Sequence, residues 1–118
     1  MKGQAFVRRL GFACAGLKLA LRRERSLRAH GLAVLAVLLA LLLTRAPALW
    51  WALLGLASGL VLVAELLNSA LETLADHLHP EQHPEVGAAK DIAAGAVLVA
   101  SAVALAVGLA FLFGWVLA

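Results

Sequence analysis

Apolar and polar positions divide this chain into a few long blocks. Residues 31–44, 46–64 and 92–118 carry no charged side chain, and only Arg45 and a polar stretch from Glu65 to Asp91 separate them. The second and third runs, 19 and 27 residues long, suit a hydrocarbon core that needs about 20 helical residues. The first, 14 residues long, reaches that length if Leu27 and Ala29 extend it and Arg45 snorkels at its end. Three spanning helices are therefore predicted. The turn Thr44-Arg45-Ala46-Pro47 is short enough to make the first two an antiparallel pair, and proline suits the first turn of the helix that follows.

Residues 6–28 show a different period. At about 100° per residue, Phe6, Leu10, Ala13, Leu17, Ala20 and Leu21 share one arc, while Lys18, Arg22, Arg23 and Arg25 fall outside it. This pattern predicts an amphipathic helix lying on the membrane, its basic side chains reaching lipid phosphates. Glu24 is the exception, because that period places it in the centre of the apolar arc.

The expected fold is thus an all-α integral membrane protein in one domain, residues 1–118. A surface helix within residues 1–28 precedes a three-span unit at 29–118. Composition agrees, since 64% of the chain is hydrophobic and 14% charged, against about a quarter charged in soluble domains. Eight of the ten Lys and Arg residues lie in residues 1–30. The positive-inside rule then places the N-terminus in the cytoplasm of a bacterial inner membrane, residues 44–47 outside, 77–90 inside and the C-terminus outside. Trp50, Trp51 and Trp115 fall at the outer interface, where indoles settle. The basic region is too long for a signal-peptide n-region, and Pro47 disfavours cleavage at Ala46-Pro47-Ala48. Basic residues beside apolar spans meet anionic lipid rather than nucleic acid. Cys14 is the only cysteine, so no internal disulfide forms.

Chemistry concentrates where the second span ends. Glu65, Asn68, Glu72 and Asp76 are spaced 3, 4 and 4, so on one helix they project within an arc of about 80°. Glu65 lies between Val61-Leu62-Val63-Ala64 and Leu66-Leu67, at or just inside the membrane boundary. A carboxyl there costs up to ~2.5–3.5 kcal/mol unless it faces protein or a water-filled cleft. One reading is the polar end of a helix emerging into water. The other is a site for a divalent cation, since Mg²⁺ is bound by one or two carboxylates together with substrate phosphates. Lys90-Asp91 stands before the third run, either as phosphate and nucleotide contacts or as a snorkelling lysine beside an N-cap aspartate. No Walker-type Gly-x-x-x-x-Gly-Lys occurs. Asp76, His77, His79 and His83 lack a cysteine partner and zinc-ligand spacing, and Pro80 and Pro84 mark their segment as a turn-containing loop.

The run Glu65-Leu66-Leu67-Asn68-Ser69-Ala70-Leu71-Glu72-Thr73-Leu74-Ala75-Asp76, followed by Ala89-Lys90-Asp91-Ile92-Ala93-Ala94-Gly95-Ala96-Val97-Leu98, resembles the signature of the prokaryotic diacylglycerol kinase and undecaprenol kinase family. The pattern is E-x-x-N-[ST]-A-[IL]-E-x-x-x-D, then a short loop and A-K-D-x-x-x-[AG]-A-V. The likeness extends through Gly16-Leu17 and Glu24, with either Arg8 or Arg9 matching the family's N-terminal arginine.

The resemblance implies a homotrimer that uses ATP and Mg²⁺ to phosphorylate a lipid alcohol entering from the bilayer. It makes Glu65 the catalytic base, Glu24 and Glu72 the metal-binding carboxylates, and Lys90 and Asp91 nucleotide contacts. Glu81, Gln82 and His83 occupy the loop that also approaches ATP, and Asn68, Ser69 and Asp76 support the signature. Glu24-Arg25-Ser26-Leu27-Arg28-Ala29-His30 is similar to the E-R-x-[FL]-[KR]-x-H segment of the undecaprenol kinases, which points to Arg28, His30 and Ala94 as lipid-facing. The rival readings are a small oligomeric pore of holin type, which has no need of Glu24, Glu65, Glu72 and Lys90 together, and a membrane-bound metal-binding or transport subunit, which metal flux without ATP consumption would favour. Three thin spans do not enclose lipid, ATP and metal, so neighbouring chains are expected to complete the site. Gly55 and Gly59 supply a G-x-x-x-G spacing for close helix approach, or are merely common membrane-helix residues.

Overall fold

The computed structural model describes residues 5–118, which form four helices. These are α1 (Phe6–Arg23), α2 (Arg25–Leu43), α3 (Ala48–Leu78) and α4 (Pro84–Leu117). The last three are long and apolar enough to cross a membrane. At 1.5 Å per residue, the 19 residues of α2 span about 28 Å, close to a hydrocarbon core, whereas the 31 of α3 and 34 of α4 run well beyond it. Both long helices therefore carry polar extensions of their apolar runs, and the chemistry sits on these extensions.

The surface-helix pattern ends earlier than its periodicity predicts. α1 stops at Arg23, and Glu24 adopts an extended backbone (φ −103°, ψ 111°) that serves as C-cap of α1 and N-cap of α2. Residues 25–28 thus belong to the first spanning helix. Arg28 secures the joint: its Nη1 donates to the carbonyls of Leu21 at 2.8 Å and Arg22 at 2.9 Å, which α1's own backbone leaves without partners. Glu24 drops out of the apolar arc because it is not on that helix.

The α2–α3 turn has a comparable local cause. Arg45 N–H bonds Leu42 O at 3.3 Å and Ala46 N–H bonds Leu41 O at 3.1 Å, the paired pattern of a Schellman cap. Arg45 takes the left-handed position (φ 52°) that glycine usually fills. Pro47 is the N-cap of α3 rather than its first helical residue. α3 ends at Leu78 with His79 as its C-cap, ahead of Pro80, where the residue preceding a proline is pushed out of the helical region.

The connection to α4 is only residues 79–83. Pro84 occupies the first turn of α4, and His83 caps it, Nδ1 accepting from Glu85 N–H at 3.1 Å. α4 therefore begins well before Lys90-Asp91, which excludes Asp91 as its N-cap.

α3 and α4 pack most extensively, α2 lies against α3, and α1 folds back beside α2 and α3. Away from the polar extensions, Leu41, Leu54 and Phe111 form a buried cluster, with Val37, Trp50 and Val107 against it. The Trp50 and Phe111 rings meet edge to face, centroids 5.4 Å apart. Most large apolar side chains on the spans, among them Leu35, Leu56, Leu98 and Phe113, face outward. The dominant free-energy gain for such a surface is removal from water into lipid or against another chain.

Candidate functional site

α3 organises the site. Glu65 is the one charged residue buried among those described, at 7% relative exposure, and two polar side chains of α2 meet it. Ser26 Oγ donates to Oε2 at 3.1 Å, and His30 Nε2 lies 3.1 Å from Oε1. Ser26 and His30 are one helical turn apart, which places both on the face of α2 that meets α3. The two helices run antiparallel, so one turn further along α3 the next contact is with the break before α2: Ser69 Oγ donates to Glu24 Oε1 at 2.9 Å.

Glu65, Ser69, Glu72 and Asp76 are successive members of one helical face, advancing 4, 3 and 4 residues. The predicted stripe thus lies on one continuous helix and carries Glu24 beside it. Ser69 sits one turn from both Glu65 and Glu72, so Glu24 enters the stripe between the two carboxylates. Asn68 lies at the edge of this face, where it lines an apolar groove between α3 and α4 with Leu67, Ala96 and Ala100. Its Oδ1 is buried and accepts no hydrogen bond within the chain.

Further along, Asp76 pairs with Lys90 of α4, and Glu72 lies within electrostatic reach of the same ammonium. Glu81, Gln82 and His83 line a cavity of about 580 Å³ with Asp76, His79 and Lys90. The loop residues and Lys90 therefore share one cleft at the end of the α3–α4 pair. Asp91 is exposed on α4, about 100° around the helix from Lys90.

The residues assigned to lipid do not gather at one place. His30 touches Glu65 and also lines an apolar cavity of about 480 Å³ bounded by Val34, Val37, Leu54, Val61 and Phe111. Arg28 instead caps α1, and Ala94 is exposed on α4. Sequence reasoning overlooked Ser26, although a serine four residues before a histidine at the mouth of an apolar run marks a shared polar face. Gly55 and Gly59 face open space, so their G-x-x-x-G spacing is not used inside the chain.

Glu24 at the α1–α2 break and Glu72 on α3 each offer carboxylate oxygens. No group of three or more His, Cys, Asp or Glu residues gathers into a metal-binding cluster among the described residues. Two carboxylates with open positions suit a hard cation that keeps waters and phosphate oxygens in its shell. They do not suit a fully protein-enclosed metal.

Residues 11–112 match the family described as prokaryotic diacylglycerol kinase. The chain is 41% identical over 98 residues to a diacylglycerol kinase of Synechocystis sp., a match that covers 82% of this chain and 56% of that protein. It therefore spans little more than half the length of that relative. It is 38% identical over 88 residues to an undecaprenol kinase of Bacillus subtilis, covering 75% of this chain and 72% of the other. Against a diacylglycerol kinase of Escherichia coli it is 34% identical over 99 residues, covering 84% and 81%.

Proposed function

The chain belongs to the prokaryotic diacylglycerol kinase family, and we propose from that membership that it is a membrane lipid kinase. In this reading it transfers the γ-phosphate of Mg-ATP to the hydroxyl of a lipid alcohol, diacylglycerol or undecaprenol. The observation that carries the reading is Glu65, a buried carboxylate at the end of an apolar span held by Ser26 and His30. A pore has no use for such a group, whereas phosphoryl transfer to an alcohol needs an acceptor for the hydroxyl proton.

The nucleotide would lie along α3. Its base end would occupy the cleft at Glu81, Gln82 and His83, its phosphates would pass Lys90, and its γ-phosphate would end near Glu65. Asp76 and Glu65 are 11 residues apart, about 16 Å along the axis, so the loop and the base serve opposite ends of an extended substrate. Glu65 takes the proton of the lipid hydroxyl. The lipid oxygen bonds to the γ-phosphorus as the bond from that phosphorus to the β–γ bridging oxygen breaks, and ADP leaves. Lys90 exchanges Asp76 for phosphate oxygen. Glu24 and Glu72 would hold Mg²⁺, which supplies neutralisation of charge on the transferring phosphate.

α1 would lie on the cytoplasmic membrane surface, and the outward apolar faces of the spans would join in a homotrimer. Purified protein given labelled Mg-ATP with diacylglycerol and undecaprenol side by side tests the reading. A labelled phospholipid product is expected, and ATP turnover with no lipid product would overturn it.

A further inference from the structure

Glu65 has three rotatable side-chain bonds, and its neighbours Ala64 and Leu66 offer nothing polar to fix them. Its orientation comes from α2, which places one side chain on each carboxylate oxygen: Ser26 Oγ donates to Oε2 and His30 Nε2 stands against Oε1, both at 3.1 Å. A neighbour on each oxygen restricts the plane of the group. Each oxygen keeps a further acceptor position for a substrate hydroxyl. Packing of α2 does not depend on this clamp, since Leu27 and Leu41 are buried independently of it.

We propose that His30, assisted by Ser26, is a positioning residue that holds the Glu65 carboxylate in the orientation from which it takes the substrate proton. The inference rests on the phosphotransfer reading above and assigns His30 a role through Glu65 rather than through the lipid. The Ser26 hydrogen bond, made to a charged group, is stronger than a neutral one, the His30 contact holds the second oxygen, and a misdirected base loses rate steeply with small displacements. His30 lies away from the nucleotide cleft at residues 79–90, so its loss acts on turnover and not on ATP recognition.

Three variants and one spectroscopic measurement on the full-length protein in lipid bilayers test this. His30→Ala should lower kcat by about ten- to a hundredfold with the KM for ATP unchanged. His30→Gln should recover most of the loss, because its amide nitrogen reaches where the imidazole Nε2 stood. Ser26→Ala should cost about threefold to tenfold. Independently of turnover, the ¹⁵N resonance of His30 Nε2 should move in Glu65→Ala. An active kinase in which His30→Ala runs at the wild-type rate, or in which His30→Gln is no better than His30→Ala, overturns the inference alone. So does an unmoved ¹⁵N resonance, or a rise in the KM for ATP matching the fall in kcat. Wild-type protein that phosphorylates no lipid alcohol while its His30–Glu65 contact is intact by NMR overturns the phosphotransfer reading, and this role with it.

Discussion

Ser69 Oγ donates to Glu24 Oε1 across 2.9 Å, joining the break between α1 and α2 to the face of α3 that also carries Glu65 and Glu72. A single hydroxyl thus sets where the Glu24 carboxylate stands relative to its proposed metal partner. Ser69→Ala leaves Glu24 in place in sequence but frees it to swing into water. The Mg²⁺ concentration for half-maximal activity should then rise by about threefold to tenfold. Glu24→Ala and Glu72→Ala, each of which deletes a ligand, should raise it further. Metal titrations of all three that overlay the wild type would remove these residues from the cation site.

Replacing Glu65 with glutamine keeps the volume and the acceptor oxygen facing α2 but removes the base. Phosphotransfer should fall by at least about a hundredfold, the lower range for loss of general-base catalysis. Nucleotide binding, measured by equilibrium binding of a labelled analogue, should stay near the wild-type value because the cleft at Glu81, Gln82, His83 and Lys90 is untouched. Equal losses of binding and turnover would instead make Glu65 part of the nucleotide or metal site.

Much of this arrangement is legible in the sequence because membrane helices obey simple lengths and periods. The three uncharged runs mark the spans, and the 3-4-4 spacing from Glu65 to Asp76 needs only a continuous helix to become a stripe. The break at Glu24 carries no local signal. Neither proline nor glycine stands there, and the chain turns because Arg28 satisfies carbonyls of α1 and Ser69 receives the glutamate, contacts visible only after folding. Pro84 opens α4 although its sequence reads as part of a loop, and the first charge-free position, Ile92, suggests a later beginning to any reading based on hydropathy. Ser26 escaped notice because its partner, Glu65, lies 39 residues away, and periodicity along one helix says nothing about which residue a neighbouring helix presents.

Lys90 has two possible partners in the course of the proposed reaction, Asp76 at rest and a phosphate when ATP is bound. The Asp76 side chain is 64% exposed, so solvent screens the pair and it contributes little to stability. Lys90→Gln should therefore leave thermal unfolding in detergent almost unchanged and raise the KM for ATP by about tenfold or more. Asp76→Asn, which keeps the helix face but releases the ammonium, should have a much smaller effect on that constant. A large loss of stability in Lys90→Gln with an unaltered KM would make the residue structural.

Arg28 provides a test of the joint itself. Its guanidinium Nη1 bonds two carbonyls of α1 at once, so one planar nitrogen satisfies both groups. Arg28→Ala should loosen the end of α1, seen as faster hydrogen exchange at the Glu24 amide, which bonds Ala20 O at 2.8 Å. The exposed setting limits the loss of stability to about 1 kcal/mol. Exchange at Glu24 that matches the wild type, together with a raised KM for lipid, would return Arg28 to the lipid-binding role that the family resemblance implies.

The last prediction concerns which chain supplies which carboxylate. The outward apolar faces and the unused Gly55–Gly59 surface favour assembly, and the proposed trimer would bring chains together along the spans. Glu24, however, already reaches α3 of its own chain through Ser69, and Ser69 is one turn from Glu65. If that contact persists in the oligomer, the metal-binding and proton-accepting carboxylates of one site belong to one protomer. Mixed oligomers of Glu24→Ala chains with Glu65→Gln chains, verified by crosslinking and assayed at an Mg²⁺ concentration too low for Glu24→Ala to work alone, should then stay inactive, because no protomer carries both groups. Mixing either inactive variant with wild-type chains should retain activity in proportion to the wild-type share. Recovery of activity in the doubly inactive mixture would show that Glu24 of one chain serves Glu65 of its neighbour, and would place the Ser69 contact outside the working site.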